Sequence, residues 1–255
     1  PEERARFWDS LLTESLGVQD DYVPAAYLSE LDQGLYGGMI GGKVHFMTDH
    51  ERGWVSSMVY PICSDWKDFE RRRWSPDGEW AQRYRRVVDA YVAAAAGRFG
   101  ISHLVVVDSL NFIFELFGAS RTYIELTDNQ EQVRRAIGFA FDLNAWIQDR
   151  FFEITPLVDG GTCSLQASWV PGRVLFESID PFHMTSVDCF LKWGVEPIER
   201  LIARYDGGVL HIHGNGRHLL EAACRIRGVR SIAMGNDKGF PSAFEMLPEF
   251  RRRAG

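Results

Sequence analysis

Short apolar runs that close on polar residues alternate along this chain with longer stretches of helical periodicity. Residues 104–107 lead into Asp108, residues 174–176 into Glu177, and residues 209–210 into His211. A helix between two strands returns the chain to the end where the first strand began, so successive strands run parallel. The pattern therefore predicts an α/β chain of βαβ units around a parallel sheet. Two architectures satisfy it, an open doubly wound sheet and a closed (β/α)8 TIM barrel. No G-x-G-x-x-G follows a predicted strand and no G-x-x-x-x-G-K-[ST] occurs, which counts against a nucleotide-binding open sheet. A length of 255 residues suits one barrel domain, with residues 1–42 as a helical and Gly-rich lead and 43–255 as its βα repeats.

The spacing predicts a helix over 1–16, with Phe7, Leu11 and Leu12 on one side. Five glycines between 34 and 42 predict a loop or a close-packed turn. Strands are expected near 43–47, 54–60, 103–107, 161–169, 174–177, 208–212 and 231–234, at most seven. Helices are expected over 79–98, over 127–152 after the N-cap choices Thr127, Asp128 and Asn129, over 185–204 with a break at Pro197, and over 217–227 and 241–252. Seven strands are one short of a full barrel, so the barrel is expected to be incomplete or shortened.

With 28 Lys and Arg against 35 Asp and Glu, the net charge is −7, a poor balance for gripping a phosphate backbone. No apolar run approaches the roughly 20 residues that cross a bilayer. The charged start Pro1-Glu2-Glu3-Arg4 is unlike a signal peptide. Cys63, Cys163, Cys189 and Cys224 form no C-x-x-C pair and read as reduced thiols, pointing to a cytoplasmic protein.

In parallel α/β folds the working residues stand at the carboxyl ends of strands. Those ends carry Asp108, Ser109 and Asn111; Glu177, Ser178, Asp180 and His183; His211, His213 and Asn215; and Asn236 and Asp237. Four successive polar ends predict a polar site on one rim. His211 and His213, two apart on a strand, project to one side and suit a shared divalent ion such as Zn2+. Glu177, Asp180 or His183 would supply a further ligand. The plainer alternative is a buried, hydrogen-bonded His211 beside a turn residue His213. Trp169 and Phe182, next to rim loops, would wall a pocket for a flat or apolar substrate, with core packing as the competing role. Arg121 would bind a carboxylate or phosphate, or else form a surface salt bridge.

The run Phe176-Glu177-Ser178-Ile179-Asp180, the helix bearing Trp193-Gly194-Val195-Glu196-Pro197, and Val209-Leu210-His211-Ile212-His213-Gly214-Asn215 resemble the uroporphyrinogen decarboxylase superfamily. The branch they look most like includes the cobalamin-dependent methyltransferases. The resemblance runs from about residue 30 to 250. It implies a TIM barrel with its site on the carboxyl rim, and sequence on both sides of the present chain. In the methyltransferase branch, Zn2+ is held by the His and Cys of an H-x-C motif and a later Cys. His211 matches that His, His213 stands where the Cys would be, and no cysteine follows Cys224.

The resemblance implies metal-assisted methyl transfer involving a corrinoid or a thiol. His211, His213 and Glu177 would be metal ligands, Asp180 would complete or orient the site, and Asn215 would position substrate. The expected partners are a small-molecule substrate or a corrinoid protein, with a homodimer allowed and neither nucleic acid nor membrane. A second reading is cofactor-independent decarboxylation of uroporphyrinogen-like tetrapyrroles, with Asp108 or Asp180 stabilising a protonated pyrrole. The arginine-rich N-terminal signature of true decarboxylases is absent. A third is a non-catalytic binding member of the superfamily.

Overall fold

A computed structural model describes residues 1–13, 22–165 and 167–255. Residues 14–16 of the expected first helix and residue 166 of the expected 161–169 strand lie outside the described residues. The chain has a mixed α/β fold and divides into two compact units, one of Pro1–Val105, Glu115–Phe117 and Leu143–Arg173, the other of Val106–Phe114, Gly118–Asp142 and Val174–Gly255.

The elements run α1 (Glu2–Thr13), β1 (Ala25–Tyr27), α2 (Gly34–Met39), β2 (Val44–Asp49), β3 (Trp54–Val59), α3 (Trp66–Phe69), α4 (Glu79–Ala95), β4 (Gly100–Ser102), α5 (Ser109–Phe117), α6 (Ala119–Asp128) and α7 (Gln130–Ile154). They continue with β5 (Gly161–Ser164), β6 (Ser168–Pro171), β7 (Val174–Ser178), α8 (Val187–Trp193), α9 (Val195–Ile202), β8 (Gly207–Ile212), α10 (Leu220–Cys224), β9 (Val229–Met234) and α11 (Leu247–Ala254). Two 3-10 helices, Asp180–Met184 and Gly214–Leu219, follow β7 and β8.

In the first unit, β1, β4 and β5 are parallel neighbours and β6 returns antiparallel to β5. The segments expected at 43–47 and 54–60 are strands, but they pair with each other as the antiparallel hairpin β2–β3. Only residues 50–53 separate them, too few for the crossover a parallel pair needs. Residues 34–39 of the Gly-rich stretch form the buried helix α2 rather than a loop, and Gly41 and Gly42 follow it in a close-packed turn. The helix glycines serve close approach, since a Cβ on Gly37 would come within 2.4 Å of Val59. Three fully buried tyrosines satisfy their hydroxyls inside this unit: Tyr36 donates to Val105 O (2.7 Å), Tyr84 to Ile147 O (3.0 Å) and Tyr91 to the Glu30 carboxylate (2.8 Å).

The second unit holds the parallel sheet β7-β8-β9. Helices α8 and α9 make the crossover from β7 to β8, and α10 that from β8 to β9. The expected 185–204 helix breaks at Gly194, not at Pro197. Phe190 lies so close that a Cβ on Gly194 would stand 2.6 Å from its ring. Pro197 falls in the first turn of α9, where its missing N–H costs no helical bond. The 103–107 run contributes one parallel bridge here, Val106 to Glu177.

Among the described residues the strand pairings form a four-stranded mixed sheet, a hairpin and a three-stranded parallel sheet, and they do not close an eight-stranded barrel. The hairpin and the antiparallel β6 take three of the strand segments out of any parallel set.

Candidate functional site

The sheet of the second unit delivers polar residues from three adjacent carboxyl ends. Register places Ser178 of β7 opposite His211 of β8, and His211 opposite Ala233 of β9. Just past these positions the chain carries Asp180 and His183 after β7, His213 after β8, and Asp237 after β9. Asp180 and His183 stand three apart in a 3-10 helix, a spacing that brings side chains onto one face. Their facing atoms, Asp180 Oδ1 and His183 Nδ1, are 3.7 Å apart.

Asp180, His211 and His213 converge, with one donor atom of each lying within 4.8 Å of the others. The Nε2 atoms of the two histidines are 3.1 Å apart, and Asp180 Oδ2 is 3.6 Å from His213 Nε2. The opposite ring nitrogens are also engaged. His211 Nδ1 lies 3.1 Å from Ala233 O, and His213 Nδ1 lies 2.8 Å from Asp237 Oδ1. Asp237 Oδ2 accepts from the backbone N–H of Gly214 at 2.7 Å. Both histidines are half-buried and Asp180 is exposed, so the cluster opens to solvent.

Burial, and secondarily the neighbouring His213, holds the His211 pKa below the usual imidazole range. His183 is pushed down to about 4, chiefly by burial. The Gly214 N–H and His213 together hold the Asp237 carboxyl below its ordinary value. His183 also packs against the G-N-G turn: a Cβ on Gly216 would stand 2.0 Å from its ring, so only glycine fits there.

The other residues singled out from sequence have different surroundings. Glu177 is buried, bridged to Val106, and shares a side-chain hydrogen bond with Asp108 instead of joining the three-donor cluster. β7 turns its Glu177 inward, and the 3-10 helix beyond supplies Asp180 in its place. Phe182 is core, only 1% exposed, with its ring edge-to-face on Phe190 at 5.1 Å. The guanidinium of Arg121 is held by the buried Glu125 at 2.7 Å, one helical turn away on α6. Trp169 belongs to the first unit, where its indole N–H donates to Val158 O at 2.7 Å and its ring covers Gly161. Asn215 is exposed, its Nδ2 3.7 Å from Met184 Sδ. Asp237, a strand-end residue in the sequence with no role attached to it there, is the group that engages His213.

Burial and the Asp108 carboxyl push the Glu177 pKa well above its ordinary 4.5. A raised carboxyl pKa means that the folded state holds the proton more tightly. Its contribution to stability is complete below the unfolded value and is lost as pH rises through the folded one. Thermal melts from pH 6 to 9 are therefore expected to show wild-type stability falling with pH more steeply than Glu177→Gln, with a slope difference of at most about 1.4 kcal/mol per pH unit. Parallel melting profiles would contradict a protonated, buried Glu177.

No protein-family profile and no curated protein sequence matches the chain. Among solved structures it is similar to a methyltransferase from Methanosarcina mazei, at 12% identity and a TM-score of 0.60, over 89% of this chain and 62% of that one. The chain thus spans less than two thirds of that methyltransferase's length. At this identity the likeness is one of fold. No helix among the described residues is long and apolar enough to cross a membrane.

Proposed function

We propose that this chain is a metal-assisted methyltransferase of the uroporphyrinogen decarboxylase superfamily, on an incomplete, shortened relative of the TIM barrel, with Asp180, His211 and His213 holding a divalent metal. The observation that carries this reading is the pair of imidazoles meeting at 3.1 Å. A carbonyl and a carboxylate oxygen can only accept, so Ala233 O and Asp237 draw the ring hydrogens to Nδ1 of His211 and His213. Each Nε2 then presents a lone pair, and the two lone pairs face each other beside the Asp180 carboxylate. Such an arrangement calls for a cation between them. Two nitrogens at 2.0–2.1 Å from one tetrahedral Zn2+ stand about 3.3 Å apart, close to the spacing here. Two imidazoles and a carboxylate are also a donor set suited to a catalytic zinc with an open position.

Bound there, Zn2+ would lower the pKa of a coordinated thiol or water and sharpen it as a nucleophile. The remaining work falls to the chain's own residues. Asp180 adds negative charge, His183 backs Asp180 from the buried side, and the exposed Asn215 amide meets substrate at the mouth. The methyl donor is a corrinoid, carried as substrate or on a partner protein, and the acceptor is a thiol. The likeness in fold to a methyltransferase supports methyl transfer as the reaction class. Burial pushes the Asp108 pKa up, which disfavours its charged form and leaves Asp180 as the carboxylate a decarboxylase would use.

The test is methyl transfer from methylcobalamin to mercaptoethanol by the zinc-loaded protein, followed as thioether formed. Wild type is expected to turn over, and Asp180→Ala to fall to the uncatalysed rate. Equal rates with and without the protein would refute methyl transfer to a thiol.

A further inference from the structure

Asp237 lies outside the three-donor cluster, yet its carboxylate accepts two hydrogen bonds at once, from His213 Nδ1 at 2.8 Å and from Gly214 N at 2.7 Å. We propose that Asp237 is the positioning residue that commits the His211–His213 pair to holding a cation rather than a proton. The role rests on the metal-centre reading above. A neutral imidazole has one ring hydrogen, and its partners decide which nitrogen keeps it. The backbone carbonyl of Ala233 settles the matter for His211. For His213, the Asp237 carboxylate at Nδ1 (2.8 Å) competes with the His211 Nε2 lone pair (3.1 Å) and the Asp180 carboxylate (3.6 Å) at Nε2, and the shorter contact to a charged acceptor wins. Without Asp237, the His213 hydrogen would move to Nε2 and donate to His211 Nε2. The two rings would then satisfy each other, and the lone pairs a metal needs would be gone.

Asparagine at this position makes the same point from the opposite side. The carboxylate accepts from two donors, but an amide has one oxygen. With that oxygen on Gly214 N–H, the amide NH2 faces His213 Nδ1 and donates to it. The His213 hydrogen is thereby driven to Nε2 with little change in shape. Asp237→Asn is therefore a tautomer switch.

The experiment is nitrogen-resolved NMR of the histidine rings in metal-free protein, followed by titration with Zn2+ alone. Wild type is expected to show His213 protonated at Nδ1, and Asp237→Asn at Nε2. The variant should lose roughly 10–100-fold in zinc affinity, the usual cost of removing an outer partner of a ligand histidine. Asp237→Glu should restore the Nδ1 tautomer and part of the affinity. Protonation of wild-type His213 at Nε2 would overturn the role, as would a variant that binds Zn2+ within twofold of wild type. No zinc uptake by the wild type would instead sink the metal-centre reading, which keeps the two failures distinguishable.

Discussion

Replacing His211 by Ala is expected to remove tight zinc binding while leaving the fold in place. The loss should exceed the 10–100-fold that an outer-shell change costs, because a ligand itself is deleted. His211 is half-buried at the end of β8, and among the described residues its hydrogen-bond contacts are Ala233 O, a backbone group, and His213 Nε2. The alanine therefore opens a small, solvent-connected space and leaves no buried charge unpaired. Zinc content by elemental analysis and a thermal melt on the same sample separate the two effects. A variant that keeps one equivalent of zinc would show that the imidazole pair is an ordinary hydrogen-bonded contact.

Replacing Phe182 by Ala is expected to destabilise the protein by about 3–5 kcal/mol, the range for truncating a buried aromatic ring. Phe182 packs on Phe190, and both rings lie against Gly194 where α8 passes into α9. The cavity would open directly behind Asp180 and His183. Denaturant unfolding measures the loss. If Phe182 were instead a wall of the substrate pocket, the variant would unfold at nearly the wild-type midpoint and show its defect in KM.

Phe182 also shows where sequence reasoning reaches its limit. It stands two residues past Asp180, and position along the chain alone puts both on the same rim. The 3-10 helix separates them, turning Asp180 out and Phe182 in. The same turn explains why Asp180, rather than Glu177, meets the histidines. The H-x-H pair was legible because a strand's period of two needs no tertiary information. The sheet of the second unit was legible too, since 174–177, 208–212 and 231–234 are apolar runs joined by helices. Pairing between β2 and β3 was legible only from the shortness of their link, which excludes a parallel crossover, because residues 50–53 lack the Asn-Gly type of hairpin signal. The α2 helix was hidden for another reason: its glycines answer to Val59 and Trp80, which are distant in sequence. Asp237 was visible as a strand-end residue, but its role depends on Gly214 and His213, 23 and 24 positions earlier.

The central claim is that Asp180, His211 and His213 form a centre for one divalent ion. Titration of chelator-treated wild-type protein with Zn2+, read by calorimetry and by the ring resonances of the histidines, tests it most directly. One equivalent should bind, with His211 and His213 shifting together at Nε2 while both Nδ1 hydrogens stay in place. Zinc uptake that leaves these two rings unmoved, or no uptake at all, would contradict it.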